Sequence, residues 1–357
     1  MFDFFWVPLF SALVCVLAVL LLRPLAFRGG LLDRPGGRKQ HSGNVPLIGG
    51  IAVTIAVSVS ALIFLYSKGY YVSLLAGLIV LALGGMIDDL RGIAPVPKLG
   101  IQLFAAILMT SWGNVYLHSL GDIFARREIE LLNWGIPLTL FAVVSLVNAM
   151  NMIDGLDGLA GGMAFMIFGW MAYLAGEVGN LPAQRMCVIF CGGIFGFLLF
   201  NMRNPVRGDR RIFLGDAGSM MIGYGIVWFA VELSQKSYNG GVSVPPVVML
   251  WIVGFLLIDL LAVVARRVIK GRNPLYADRT HMHHILLRLH VSQEAIVWLI
   301  LGSNMLLGLI GVIAWKQGAS EQSLFLGFLI LTAGHLMAMR HAWRFIRVGR
   351  RVFGRRR

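Results

Sequence analysis

Carboxylates and carboxamides gather in three short stretches of a chain that is otherwise strongly apolar. Asp88 and Asp89 are adjacent in DDLRGIAPVPKLG, with Arg91 and Lys98 close behind. Two neighbouring carboxylates repel each other and need a cation, either Mg2+ or a lysine; the other reading is a helix end reaching water. Pro95 and Pro97 stiffen the link to Lys98 and favour a phosphate site. The second stretch, NAMNMIDGLDGLAGG at 148–162, holds Asn148, Asn151, Asp154 and Asp157 at intervals of three. Helical spacing puts Asn148 and Asn151 on one face, and Gly155 and Gly158 allow a sharp turn or the close approach of a ligand. Such groups cost free energy in an apolar setting unless a ligand or a structural network satisfies them. In the third stretch, FLGDAGSMMIGYG at 213–225, Asp216 opens an apolar run between small residues. Free N–H groups at a helix start suit an anion and an aspartate suits a hard cation, so this reads as a meeting point of Mg2+ and phosphate. A plain helix N-cap is the alternative.

A fourth stretch is basic. RNPLYADRTHMHHILLRLH at 272–290 offers Arg272, Arg279, His281, His283 and His284 as donors to a pyrophosphate or a sugar. The H-x-H-H spacing also suggests zinc, but one turn does not supply a tetrahedral set and no cysteine is near. The first basic loop adds Asp33, Arg34, Arg38, Lys39 and His41 as a further anion-friendly surface. Asp259 stands apart, inside the apolar run LLIDLLAVVARR. An intramembrane carboxylate is a functional candidate by default, and a hydrogen bond to a neighbouring helix is its simpler reading. No G-x-x-x-x-G-K-[ST] loop and no G-x-S-x-G elbow occurs, which sets aside ATP-driven pumping and elbow-type hydrolysis.

Placing these groups falls to an apolar framework. Of 357 residues, 58% are hydrophobic and 13% are charged, and mean hydropathy is +0.78. Soluble domains run near ~45–50% apolar and ~25% charged, so a cytosolic globule and a disordered chain are both excluded. Cys15, Cys187 and Cys191 lie in apolar runs and read as small buried hydrophobes. A membrane-crossing helix needs about 20 apolar residues. Eleven stretches qualify, near 4–22, 46–67, 71–87, 98–113, 131–150, 158–175, 185–201, 217–233, 245–265, 295–315 and 322–339. They are too long and continuous for a β-barrel, and the expected fold is an all-α polytopic membrane bundle. All but six of the 31 Lys and Arg residues fall in alternate loops, the six being Lys68, Arg126, Arg127, Arg185, Lys236 and Lys316. The excess of positive charge on cytoplasmic loops then puts the amino terminus in the periplasm and the carboxyl terminus in the cytoplasm. The first span lacks a basic leading region and a small-residue cleavage site, so it reads as an uncleaved helix. The net charge of +14 therefore lies against one membrane face, where anionic lipid explains it more simply than nucleic acid. Residues 1–340 form the membrane domain, and 341–357 a basic tail. With Trp343, Phe345 and Phe353 among its arginines, that tail reads as an amphipathic surface helix.

Five motifs in order, LLDRPGGRKQHSGNVPLIGG, DDLRG, NAMNMIDGLDGLAGG, FLGDAGS and ADRTHMHH, closely resemble the polyprenyl-phosphate N-acetylhexosamine-1-phosphate transferases over nearly the whole chain. DRTHMHH resembles the branch that transfers GlcNAc-1-phosphate to undecaprenyl phosphate. The MurNAc-pentapeptide branch carries three consecutive histidines after a proline, a run that Met282 interrupts here. The resemblance implies an Mg2+ site at Asp216 and Asn151, with Mn2+ as an alternative ion. It implies that Asp88 and Asp89 are the acidic pair beside Lys98, the phosphate-binding lysine, and that these three are catalytic. Asn148, Asp154 and Asp157 match the nucleotide side, and Arg279, His281, His283 and His284 match the loop that selects the sugar phosphate. The implied substrates are UDP-GlcNAc and undecaprenyl phosphate, in a bacterial inner membrane, with the site facing the cytoplasm. The implied product starts a lipid-linked surface polysaccharide such as O antigen. Membrane lipids are the surrounding partner, a homodimer is compatible with the bundle, and no nucleic acid is expected. Inside the family, UDP-MurNAc-pentapeptide or another UDP-HexNAc is the alternative donor. Outside it stand two rivals: an ion-coupled transporter, which would place its binding groups near the midplane, and a nucleotide-sugar hydrolase, which would release UMP without a lipid acceptor.

Overall fold

Long apolar stretches in lipid must satisfy their backbone groups internally, and helices do this. The computed structural model describes residues 2–33, 43–65, 69–124, 127–202, 210–235, 243–269, 271 and 281–353, with side-chain detail from 5 to 341, and among them helices dominate. The chain divides into two compact units, residues 1–119 with 131–244, and residues 120–130 with 245–357.

The first unit begins with α1 (Phe2–Gly29), whose exposed Leu9, Leu13, Leu17 and Leu21 form a stripe at helical spacing, as a lipid-facing helix requires. A two-residue pair of strands follows, β1 (Leu32–Asp33) antiparallel to β2 (Val45–Pro46). Then come α2 (Gly49–Phe64), α3 (Val72–Arg91), α4 (Pro95–Ile107), α5 (Gly135–Ile153), α6 (Leu159–Glu177), α7 (Leu181–Asn201) and α8 (Gly215–Ser234). α4 starts on Pro95, where a missing N–H costs nothing, and runs into a π turn at Leu108–Trp112. α8 is the axis of this unit. It is buried over nearly its whole length and packs against α2, α3, α5, α6 and α7. Small residues make this possible: a side chain on Gly50 would collide with the Gly218 backbone, and one on Gly85 with that of Ala217.

The second unit holds α9 (Pro246–Ile252), α10 (Gly254–Ile269), α11 (Met282–Arg288), α12 (Gln293–Lys316) and α13 (Glu321–Phe353). The expected span at 245–265 is not a single rod: α9 and α10 meet at an 80° bend. The backbone groups freed there are taken up by one side chain of α12. Asn304, fully buried, accepts from Phe255 N–H at 3.2 Å and donates to Ile252 C=O at 3.2 Å. The segment 120–130 joins this unit through Asp122 N–H, which donates to Glu321 at 3.0 Å.

Among the described residues eight helices are long and apolar enough to cross a membrane, and the bent pair makes a ninth if it is one span. α2 is apolar but shorter, and α4 gives way to its π turn before reaching full length. The chain is thus an all-helical, polytopic membrane protein in outline, and among the described residues fewer helices reach full spanning length than there are apolar stretches.

Candidate active site

The acidic stretches meet at one end of α8. The segment 210–214 lies against the start of α2, with Gly49 N–H donating to Phe213 C=O at 2.9 Å and Gly50 N–H to Leu214 C=O at 2.9 Å. Phe213 N–H donates in turn to Pro46 C=O at 2.9 Å. This ladder delivers the start of α8 beside the end of α3.

The adjacent carboxylates of α3 part company there. Asp88 accepts Ile93 N–H at 2.6 Å and pairs with Lys98 Nζ at 2.7 Å. Asp89 turns to α8, accepting Asp216 N–H at 2.9 Å and Ala217 N–H at 3.3 Å. Asp89 therefore caps a helix that is not its own, and it fills N–H groups that the sequence set aside for an anion. Gly215 permits the fit: its φ is +73°, and an added Cβ would stand 2.5 Å from the Asp89 carboxylate.

Lys98, in the first turn of α4, also donates to Asp216 at 2.8 Å, so one ammonium bridges Asp88 and Asp216. The other oxygen of Asp216 accepts from the Asn151 amide, which also donates to Ser219 Oγ at 3.1 Å. Asn148 shares a helix face with Asn151 but has different partners. It donates to Gln102 Oε1 at 2.9 Å and to Val144 C=O at 2.7 Å, tying α5 to α4.

The turn between α5 and α6 carries the remaining two aspartates. Asp157 pairs with Arg211 at 2.7 and 2.6 Å, and that guanidinium lies over the Phe213 ring at 4.7 Å. Gly158 N–H is held by the buried Asn201 at 2.6 Å, whose amide donates to Ile212 C=O at 3.0 Å. Asp154 has no donor among the described residues. Enclosure by the protein, and then the charges of Asp216, Asp89 and Asp157, push its carboxyl up to about 8. Among the described residues no three His, Cys, Asp or Glu side chains form a metal cage. The oxygens of Asp216, Asn151 and Asp154 are hard donors of the kind Mg2+ takes one or two at a time, and both Asp216 oxygens are engaged by Lys98 and by the Asn151 amide.

In the second unit, Asp259 joins α10 to the start of α11. One of its oxygens lies 2.7 Å from His281 Nδ1, and the other accepts Met282 N–H at 3.1 Å. The simpler expectation for this carboxylate, a bond to a neighbouring element, is what its position provides. His335 Nε2 stands 3.8 Å away on α13. The His281 and His283 rings are stacked with centroids 5.9 Å apart, and His283 lies 4.1 Å from His284. Burial and then the flanking His284 and His281 drive the His283 imidazole down to about 3, so it is neutral.

Of the residues the sequence singled out, Asp88, Asp89, Lys98, Asn151, Asp154 and Asp216 form one cluster. Asn148 and Asp157 border it through Gln102 and Arg211. His281, His283 and His284 form a separate cluster in the second unit. Arg34, Arg38, Lys39, His41, Arg272 and Arg279, and the side chains of Trp343, Phe345 and Phe353, lie outside the described residues. Sequence reasoning missed Gln102, Asn201, Arg211 and Ser219. Asn201, an amide at the end of an apolar run, was the one readable signal among them.

Residues 71–234 match the family model described as glycosyl transferase family 4. That stretch contains every member of the acidic cluster and ends with α8. The chain is 34% identical over 337 residues to the undecaprenyl-phosphate alpha-N-acetylglucosaminyl 1-phosphate transferase of Haemophilus influenzae, covering 94% of each chain. The proteins of the same name from Pasteurella multocida and Escherichia coli K12 are also 34% identical. They match over 94% and 92% of this chain and 93% and 89% of their own.

Proposed function

The chain belongs to the polyprenyl-phosphate N-acetylhexosamine-1-phosphate transferases of glycosyl transferase family 4, and from that membership we propose that it transfers GlcNAc-1-phosphate from UDP-GlcNAc to undecaprenyl phosphate, releasing UMP. The observation that carries the reading is Lys98, held between Asp88 and Asp216 beside Asn151 and Asp154. A partly exposed ammonium held between two carboxylates at the end of α8 is placed to meet phosphate.

An oxygen of the lipid phosphate attacks the β-phosphorus of the nucleotide sugar. The P–O–P link to UMP breaks as the new P–O–P bond forms, and UMP departs with the electron pair. A phosphate monoester has a second pKa near ~6, so the acceptor is largely dianionic at neutral pH and needs little help from a base. Asp88 is engaged by Ile93 N–H and Lys98, which favours a role in holding Lys98 over one in proton transfer. Lys98 neutralises phosphate charge, and Asp89 fixes the start of α8 and with it Asp216. Asn148, Asp154 and Asp157 serve the nucleotide side, while Arg279, His281, His283 and His284 serve the sugar phosphate. Asp216 and Asn151 would hold Mg2+, or Mn2+ in its place, and Asp154, whose carboxyl has no donor among the described residues and is raised to about 8, would release its proton when such a cation binds. When bound, that ion neutralises charge across the pyrophosphate, and phosphoryl transfer is accelerated mainly by such neutralisation and by positioning.

The acceptor cannot leave the bilayer and the donor cannot enter it, so the chemistry belongs at a membrane boundary. We place that boundary on the cytoplasmic side of the bacterial inner membrane. The chain then crosses eleven times, with α2, α4 and the bent α9–α10 pair completing the count, and the carboxyl-terminal basic tail lies on anionic lipid. O-antigen-type initiation is the cellular role we assign.

The test is transfer of label from UDP-GlcNAc into the organic phase, using membranes containing the protein, undecaprenyl phosphate and Mg2+, with Asp216→Asn as control. Mg2+-dependent label that the variant abolishes is the expected result. Label from UDP-MurNAc-pentapeptide alone would move the chain to the peptidoglycan branch. UMP release without lipid label would make it a hydrolase. No product from any donor, in folded protein, would favour a transporter. A phosphosugar–enzyme adduct formed from UDP-GlcNAc alone would overturn direct attack.

A further inference from the structure

The buried carboxylate of Asp259 has no part in the mechanism above, yet its two oxygens have distinct tasks. One accepts Met282 N–H at 3.1 Å and so fixes the first turn of α11. The other faces His281 Nδ1 at 2.7 Å, with both side chains buried. A carboxylate can only accept, so Nδ1 carries the proton in this pair. The opposite ring nitrogen, His281 Nε2, is buried and has no hydrogen-bond partner among the described residues. A buried polar atom left unpaired costs free energy, and such an atom on a ring pinned from behind points to a ligand. His283, stacked on the same ring, is neutral, and no described carboxylate is paired with it as Asp259 is with His281.

We propose that Asp259 is a positioning residue for the donor substrate: it holds the Nδ1–H tautomer and the orientation of His281, leaving the Nε2 lone pair to accept from a hydroxyl or N–H group of the nucleotide's sugar. This rests on the reading above in which the His281–His284 stretch binds the donor. The geometry also fixes what the gentlest substitution does. In Asp259→Asn the single carbonyl oxygen is required by Met282 N–H, so the amide NH2 faces Nδ1. Nδ1 must then accept, and the ring proton moves to Nε2. Packing and the cap on α11 are kept while the working nitrogen is inverted.

In the full-length protein, Asp259→Asn is expected to raise the KM for UDP-GlcNAc by roughly 10–100-fold, as when an orienting partner behind a histidine ligand is removed. The KM for undecaprenyl phosphate is expected to stay unchanged. His281→Gln, whose amide reaches the place of Nε2, should retain more donor affinity than His281→Asn, whose amide lies near Nδ1. Adding Asp259→Asn to His281→Gln should change the donor KM no further. An unchanged donor KM in Asp259→Asn, equal losses for both substrates, or a full additional loss in the His281→Gln background would each overturn the assignment. If Asp259→Asn does not fold, the order of the two His281 variants decides, and the reverse order overturns it. Wild-type protein that yields no lipid product ends the catalytic reading itself, whereas active wild type with an indifferent Asp259→Asn ends only the role given to Asp259.

Discussion

Lys98 compensates two carboxylates at once, with Asp88 at 2.7 Å and Asp216 at 2.8 Å, so its removal has a double effect. Lys98→Met leaves those carboxylates without their shared cation and removes the ammonium that the proposed reaction sets against the phosphate. Loss of one such preorganised charge costs about 10²–10³ in kcat, and steady-state turnover of UDP-GlcNAc by the purified variant checks this. Lys98→Arg keeps the charge but replaces a point donor with a planar fork, and a partial loss is expected. Asp154 gives a prediction in pH. With its carboxyl at about 8, a proton occupies it below that pH. A divalent cation at this site must displace the proton, so apparent Mg2+ affinity should rise as pH increases toward 8 and level off above it, by about tenfold per pH unit on the rising part. Mg2+ titrations of activity at pH 6.5, 7.5 and 8.5 measure the slope. Asp154→Asn should flatten it, and an unchanged slope in that variant would remove Asp154 from the cation's surroundings.

Among the elements, α8 depends on a cap from another helix. Asp89 reaches across from α3 to the first amides of α8, and it fits only because residue 215 has no side chain and adopts φ +73°. Gly215→Ala should lose about 1–2 kcal/mol from the left-handed backbone alone. It should also displace Asp89 and with it Asp216, so that activity falls by more than the melting temperature suggests. Thermal melting in detergent beside turnover separates the two effects, and a variant that is destabilised yet retains full specific activity would deny the cap any role in placing Asp216. The same region marks how far the sequence could be read. Spacing singled out Asp88, Asp89 and Lys98, with a helix end reaching water as the other reading, and the family resemblance supplied their catalytic role. Neither revealed that the two aspartates face different partners, since that depends on the rotation of α3 about its axis. Likewise, 245–265 reads as one apolar stretch, and its 80° bend is stabilised by Asn304 from a helix some fifty residues further on. Polar partners supplied from a distance, as Asn201 and Gln102 also are, leave no mark in the local pattern they stabilise.

For the molecule as a whole, sidedness decides whether the proposed chemistry is reachable. Hydropathy made the membrane class plain, and exposed leucines along α1 agree with it, but direction rests on the distribution of Lys and Arg. That distribution assigns the α3–α4 turn, beside Lys98, to the cytoplasm, and the α6–α7 turn, three crossings later, to the periplasm. Ala94 and Leu181 are exposed at these turns, and Cys15, Cys187 and Cys191 all lie within apolar helices, so introduced cysteines can be read against a low background. Leu181→Cys should react with a membrane-impermeant maleimide in intact cells. Ala94→Cys should react only after the membrane is opened. UDP-GlcNAc added to sealed right-side-out vesicles should then give no lipid product, whereas inverted vesicles should give full activity. Labelling of Ala94→Cys from outside would put Lys98, Asp88 and Asp216 on the face that lacks the nucleotide sugar. The transfer reaction could not then proceed as proposed, however well the cluster is formed.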